Sequence, residues 1–231
     1  MRCLVVRFID CEGPGIIADI LKEKGYRITY HNAYQKGLHL IPYSHLSFDL
    51  ILLMGGPQSV SDPNLFHFFE PYFNLVEGVL SVKKAKLIGV CLGSQIIAEV
   101  MGSKIRKGGK GPEVGFADCK ILDKSSVAFQ GINSETLSAF HLHEDTFDIP
   151  YGTKHLLSSE KYPSQMYSFE DRVSGIQAHL EPNSDMLNVW KNVHKDFIHS
   201  AKVDPSDWLD KLKTMEATSR VIFRNMIENE V

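Results

Sequence analysis

Along residues 1–101 the hydrophobic pattern alternates between short continuous apolar runs and stretches with helical spacing. CLVVRFI (3–9), RITYH (27–31), LILLMGG (50–56) and KLIGV (86–90) read as strands. Between them 15–24 and much of 65–82 read as helices, and 94–101 places Ile96, Ile97, Val100 and Met101 on one helical face. Right-handed crossovers turn this strand–helix rhythm into a mainly parallel sheet with helices on both faces, whose ligands sit outside the carboxyl ends of the strands. LILLMGG and KLIGVC both end at that rim.

From 115 to 177 the apolar runs crowd together (FADCKIL, TLSAFHLH, KHLLSS, QMYSF, VSGIQAH), with turn-forming residues between them, which predicts antiparallel or mixed strands extending the same sheet. After Pro182 helical spacing returns. Met186, Val189, Trp190, Val193 and Phe197 share one face, and from about Pro205 a last helix carries Trp208, Leu212, Met215, Ile222 and Met226. Both stripes are expected to be core. No internal repeat or Pro/Ser-rich linker interrupts the pattern, so residues 1–231 are expected to form one α/β domain around a mixed sheet that is parallel in its centre.

With 231 residues, 43% of them hydrophobic, the chain can bury one sizeable core. A net charge of -3 gives no general attraction to nucleic acid or anionic membrane, so neither is expected as a partner. The opening run MRCLVVRFID is too short for a membrane span or a signal-peptide core. Four cysteines without CxxC spacing argue against a disulfide scaffold, and a cytoplasmic protein with reduced thiols is expected.

The candidate chemistry centres on GVCLGSQ (89–95), a cysteine between an apolar strand and an apolar helix. A sharp turn there lifts Cys91 clear of the backbone and aims a helix N-terminus at it, which favours the thiolate. Such a nucleophile needs a base, and the base an orienting partner. In VSGIQAHLE, His179 and Glu181 point to the same side of extended chain, so Glu181 can hold one ring nitrogen while the other faces Cys91. MGGPQSV (54–60) adds a glycine turn at a neighbouring strand end, where the N–H of Gly56, with that of Leu92, is expected to form an oxyanion hole. HLHED (141–145) gathers His141, His143, Glu144 and Asp145, but no further ligand pair has matching spacing, so no metal site is expected. GGKG (108–111) lacks the Ser/Thr and setting of a phosphate loop, and no other cofactor motif is present.

GGPQSV, GVCLGSQ, HLHEDTFDIP and GIQAHLE occur in the order and rough spacing of the class I glutamine amidotransferase family, and the chain resembles its stand-alone members similar to the amidotransferase domain of GMP synthase. The resemblance implies a three-layer flavodoxin-like fold and a Cys91, His179, Glu181 triad that releases ammonia from glutamine through a thioester. It further implies that Gln95 contacts the substrate, that the backbone at Gln165 and Met166 holds its α-amino and carboxylate ends, and that HLHED lies beside the active site. Two positions depart from the family's usual GIQFHPE: Ala178 replaces an aromatic and Leu180 a proline. No ATP-pyrophosphatase loop is present, so ammonia would go to a separate synthetase subunit. The alternatives are a stand-alone γ-glutamyl peptidase or hydrolase and a non-catalytic regulatory protein on a decayed amidotransferase fold.

Overall fold

Alternate residues of the apolar strands pack on opposite sides of one sheet, which forces helices onto both. In the computed structural model, which describes residues 1–229, Cys3 and Val5 of β1 (Arg2–Arg7) face one apolar layer while Leu4 and Val6 face the other. The same alternation divides Leu50 and Leu52 from Ile51 and Leu53 in β3 (Leu50–Leu53), and Ile88 and Val90 from Leu87 in β4 (Lys86–Val90). The first layer is closed by α1 (Ile16–Glu23), α4 (Ser184–Val193), α5 (Lys195–Ser200) and α6 (Trp208–Glu228), and the second by α2 (Phe66–Val82) and α3 (Leu92–Val100).

The main sheet has nine strands in the order β2-β1-β3-β4-β11-β10-β9-β6-β7, where β2 is Arg27–Asn32, β6 Glu113–Ile121, β7 Thr136–His143, β9 Lys154–Ser159, β10 Met166–Phe169 and β11 Val173–Ile176. Two short strands, β5 (Arg106–Lys107) and β8 (Asp145–Thr146), pair separately. From β2 to β11 every pairing is parallel, and from β11 to β7 every pairing is antiparallel. The parallel half, 2-1-3-4 followed by β11, has the flavodoxin-like strand order. The sequence pattern therefore gives the right architecture, with the antiparallel strands making up a full half of the sheet.

The α6 stripe is buried as expected, but α4 corrects the pattern: Leu187 and Trp190 are buried, whereas Val189 and Val193 are exposed. One helical face is too wide a reading of five apolar residues; α4 packs along a narrower strip, and Phe197, beyond the break between α4 and α5, reaches the catalytic rim instead. Ala178 and Leu180 both lie in the first apolar layer, so the two departures from the family's usual sequence are absorbed by the core. Among the described residues no helix is long and apolar enough to cross a membrane.

Candidate active site

Cys91 leaves the end of β4 with φ 49° and ψ −107°, a conformation that L side chains rarely adopt, and α3 starts at the next residue. The turn is held from several sides. The Cys91 N–H donates to the Ile176 carbonyl at 2.7 Å, and the Cys91 carbonyl accepts from the N–H groups of Ser94 and Gln95 and from the Ser94 hydroxyl at 2.7 Å. Two glycines make the close packing possible. A side-chain carbon at Gly93 would strike the Leu53 carbonyl, and one at Gly89 would strike Gly93 itself.

β11 runs parallel beside β4 with Ile176 opposite Val90, so the segment leaving β11 emerges next to Cys91. Gln177, His179 and Glu181 alternate along this segment toward the same side. His179 exchanges two backbone hydrogen bonds with Phe140 of β7, and its ring lies edge-on against Trp190, 4.9 Å between centroids. Glu181 Oε1 accepts from His179 Nδ1 at 2.7 Å, and both side chains are fully buried. Among the described residues, Nε2 of His179 has no hydrogen-bond partner. Burial opposes a charge on this ring, but the neighbouring Glu181 carboxylate and the Cys91 sulfur outweigh it and hold the His179 pKa well above the usual imidazole value. The Glu181 carbonyl in turn accepts from Ile16 N–H at 2.9 Å, and only glycine at position 15 lets the chain come so close.

Gln177, which the sequence pattern does not single out, joins the site: its Oε1 accepts from Gln95 Nε2 at 3.0 Å and its Nε2 donates to Cys91 Sγ at 3.6 Å. A signal for it exists, because Gln177 precedes His179 by two residues in extended chain. Gly56 lines the cleft beside Cys91, and the Leu92 N–H, at the first turn of α3, has no helical acceptor. Both are free to serve an oxyanion.

The cleft above Cys91 has a volume of about 330 Å³ and includes Glu12, Gly56, Gln95, His143, Asp145 and His194 in its walls. Leu142, Glu144 and Phe197 complete one side. Asp145 accepts from the Ser59 hydroxyl at 2.5 Å, tying the GGPQS turn to the HLHED segment. Glu12 is 4% exposed, and its Oε1 lies 3.3 Å from His194 Nε2. Gln165 and Met166 are placed differently from the sequence expectation. Their backbone is committed to the sheet, Met166 pairing with Ile176 and Leu157 and the Gln165 carbonyl accepting from Gln177 N–H, while the Gln165 side chain donates to Glu113 at 2.8 Å. Backbone hydrogen bonds already used in the sheet are not available to a substrate, and the cleft wall facing Cys91 is formed by 142–145 instead.

Cys3 and Cys119 are buried, and Cys11 is half-buried with its sulfur 3.9 Å from His194 Nε2. Burial pushes the Cys3 thiol up to about 12 and, with the charge of Glu12, that of Cys11 up to about 11, and it raises Cys119 further.

The chain thus carries a strained cysteine at the end of a parallel strand, under a flavodoxin-like strand order. The fold superimposes on the crystal structure of a glutamine amidotransferase from Thermotoga maritima with a TM-score of 0.87 and 27% identity, covering 99% of each chain. The sequence profile of "Glutamine amidotransferase class-I" matches residues 8–216, and the chain belongs to this family. Among its relatives, a glutamine-hydrolysing GMP synthase subunit of Sulfurisphaera tokodaii is 31% identical over 157 residues, 67% of this chain and 78% of that protein. "Gamma-glutamyl peptidase 2" of Arabidopsis thaliana is 33% identical over 121 residues. That alignment covers 50% of this chain and about half, 48%, of the peptidase.

Replacing Glu181 with glutamine tests the orienting role. Without the carboxylate the imidazolium loses its main support, so the basic limb of the kcat/KM profile is expected to move to lower pH, with at least about a tenfold fall in kcat. The same pairing bears on stability. A ring whose folded pKa lies above its unfolded value contributes fully below the unfolded value, and the contribution is lost as pH rises through the folded one. The Tm difference between the native protein and Glu181→Gln is therefore expected to be larger at about pH 6, below the ordinary imidazole value, than at high pH, and an unchanged difference would contradict it.

Proposed function

We propose that the protein hydrolyses the side-chain amide of glutamine through a thioester on Cys91. The Cys91 sulfur attacks the amide carbon, and the oxyanion that forms is held by the N–H groups of Gly56 and Leu92. Collapse breaks the carbon–nitrogen bond while His179 gives its Nε2 proton to the departing ammonia. Water then attacks the thioester, His179 takes its proton, and glutamate leaves with the cysteine regenerated. Glu181 holds the imidazole in register throughout. The observation that carries this reading is the His179 ring itself, fixed by Glu181 on one nitrogen and unpartnered on the other, buried beside a cysteine in a strained turn.

Gln95 and Glu12 complete the substrate reading. Gln95 lines the cleft, and Glu12 presents a buried carboxylate there, a counter-charge for the substrate's α-ammonium group. Glu12→Gln is expected to raise KM about ten- to a hundredfold with little change in kcat, in line with the ~1.5–3 kcal/mol of a hydrogen bond to a charged group. Steady-state kinetics with glutamine check it, and an unchanged KM would remove Glu12 from the binding site.

The similarity to a GMP synthase subunit supports delivery of the ammonia to a separate synthetase subunit. The similarity to a γ-glutamyl peptidase supports a second reading, in which the same thioester forms with a larger amine as leaving group. Release of ammonia from glutamine, compared with release of amine from γ-glutamyl peptides, decides between them. A higher kcat/KM for the peptides would overturn the glutaminase reading in favour of the peptidase, and no Cys91-dependent turnover of either would overturn both.

A further inference from the structure

Beside the catalytic cleft lies a second, fully internal group of chemistry-bearing side chains that the proposed reaction does not use. Glu113 stands directly opposite His143 in the antiparallel pairing of β6 with β7, and His141 follows two residues along the same face of β7. Glu113 is 6% exposed, His141 0% and His143 4%. Glu113 Oε2 lies 3.2 Å from His141 Nδ1 and 3.0 Å from His143 Nε2, and the donor atoms of all three residues fall within 4.8 Å of one another.

Protons alone satisfy this group poorly. A carboxylate oxygen offers two lone pairs, yet Glu113 Oε2 also receives the Gln165 side-chain amide at 2.8 Å, which makes three nitrogens on one atom. His143 Nδ1 is 3.1 Å from the Asp145 carbonyl and must donate its proton there. With that proton placed, Nε2 is the ring nitrogen left for a ligand, and it faces Glu113. Among the described residues, His141 Nδ1 and His143 Nε2 are both left without a well-formed hydrogen bond.

We propose that Glu113, His141 and His143 form a binding site for a divalent first-row transition ion, with Zn²⁺ the best match. Two imidazoles and one carboxylate are a common zinc donor set, and bonds of ~2.0–2.1 Å at tetrahedral angles place donors about 3.3 Å apart, close to the spacing found here. The surroundings suit ligation as well. His143 gives its other ring proton to a backbone carbonyl, and Glu113 Oε1 accepts from the Ser159 hydroxyl at 2.7 Å, the kind of outer hydrogen bonding that orients metal ligands. His141 Nε2 has the Cys119 sulfur 3.8 Å away. The fourth position falls to water. Because His143 also lines the catalytic cleft, the ion would brace the wall on which 142–145 face Cys91. Spacing along the sequence does not show this site because its third donor comes from the neighbouring strand.

The test uses untagged, chelator-treated protein carrying Cys91→Ala, so that the catalytic thiol cannot itself hold the metal. Co²⁺ is titrated as the spectroscopic probe and Zn²⁺ content is measured after dialysis. One equivalent of each is expected, with visible ligand-field bands from Co²⁺ and an X-ray absorption shell containing two imidazoles and no sulfur. Adding His141→Gln or Glu113→Gln, each checked for folding by circular dichroism, is expected to abolish the bands and the bound equivalent. Absence of saturable binding to the Cys91→Ala protein overturns the proposal, as does a sulfur-containing shell. Unchanged binding in either folded variant does so too. The spectroscopic shell needs no second variant, so the proposal stands or falls even where neither one folds. None of these readouts depends on glutaminase activity, so its failure would leave the metal site untouched.

Discussion

Cys91→Ala is expected to lower kcat/KM for glutamine by on the order of 10⁴-fold or more, to a level indistinguishable from background, while leaving the fold intact. The argument is geometric. In the proposed mechanism the bond to the substrate carbonyl is made by Cys91 Sγ, which sits in the strained turn at the start of α3, beside the His179 ring. Cys11, a half-buried thiol, is held in its protonated form by burial and by Glu12. Alanine keeps the Cβ and the backbone turn and removes only the sulfur, so Tm is expected to change little. Ammonia release measured alongside a thermal melt checks both halves, and retained turnover in a folded Cys91→Ala protein would refute the thioester. The non-catalytic alternative makes the opposite forecast, with neither protein turning over glutamine or any γ-glutamyl peptide.

Gly93→Ala is expected to be among the most damaging single-methyl changes near the site. The added carbon would strike the Leu53 carbonyl and side chain, pushing α3 away from β3 at the point where the helix begins. Overpacking of this kind costs about 1–3 kcal/mol, which for a chain of this size lowers Tm by roughly 2–12 °C. The catalytic loss is expected to be larger than the stability loss implies. A displacement of α3 moves the Leu92 N–H and the Cys91 turn together, and misplacement of about 1 Å can cost on the order of 100-fold. Melting curves and kcat measured well below Tm separate the two effects, and full kcat in a destabilised but folded Gly93→Ala protein would show that the oxyanion site does not depend on this packing.

The features legible in the sequence are those set by local chain geometry. An apolar run ending in Gly-Val-Cys-Leu-Gly can only turn sharply, and a histidine and glutamate two apart in extended chain must share a side, so the Cys91 turn and the His179–Glu181 pair are readable before any tertiary contact. What cannot be read is set by pairing between distant strands. Gln165 sits in a segment that resembles a substrate-binding stretch, but the sheet claims its backbone and Glu113 claims its side chain. Glu113 itself carries no signal, because its meeting with His141 and His143 depends on the register of β6 against β7. Likewise periodicity alone puts Val189 and Val193 in the core, and the packing of α4 leaves them in solvent.

The parallel register of β4 and β11 has a further consequence for how this scaffold diversifies. Cys91 and the His179 segment are delivered by two adjacent strands, β4 of 5 residues and β11 of 4, with Val90 locked opposite Ile176. Their alignment is inherited from main-chain hydrogen bonds, which are blind to side-chain identity, whereas the cleft walls come from loops and helix ends carrying Glu12, Ser59, Glu144 and Phe197. Mutational drift in those walls can exchange one departing amine for another without retuning the reacting pair, so substrate preference in this scaffold is free to change faster than the chemistry it serves.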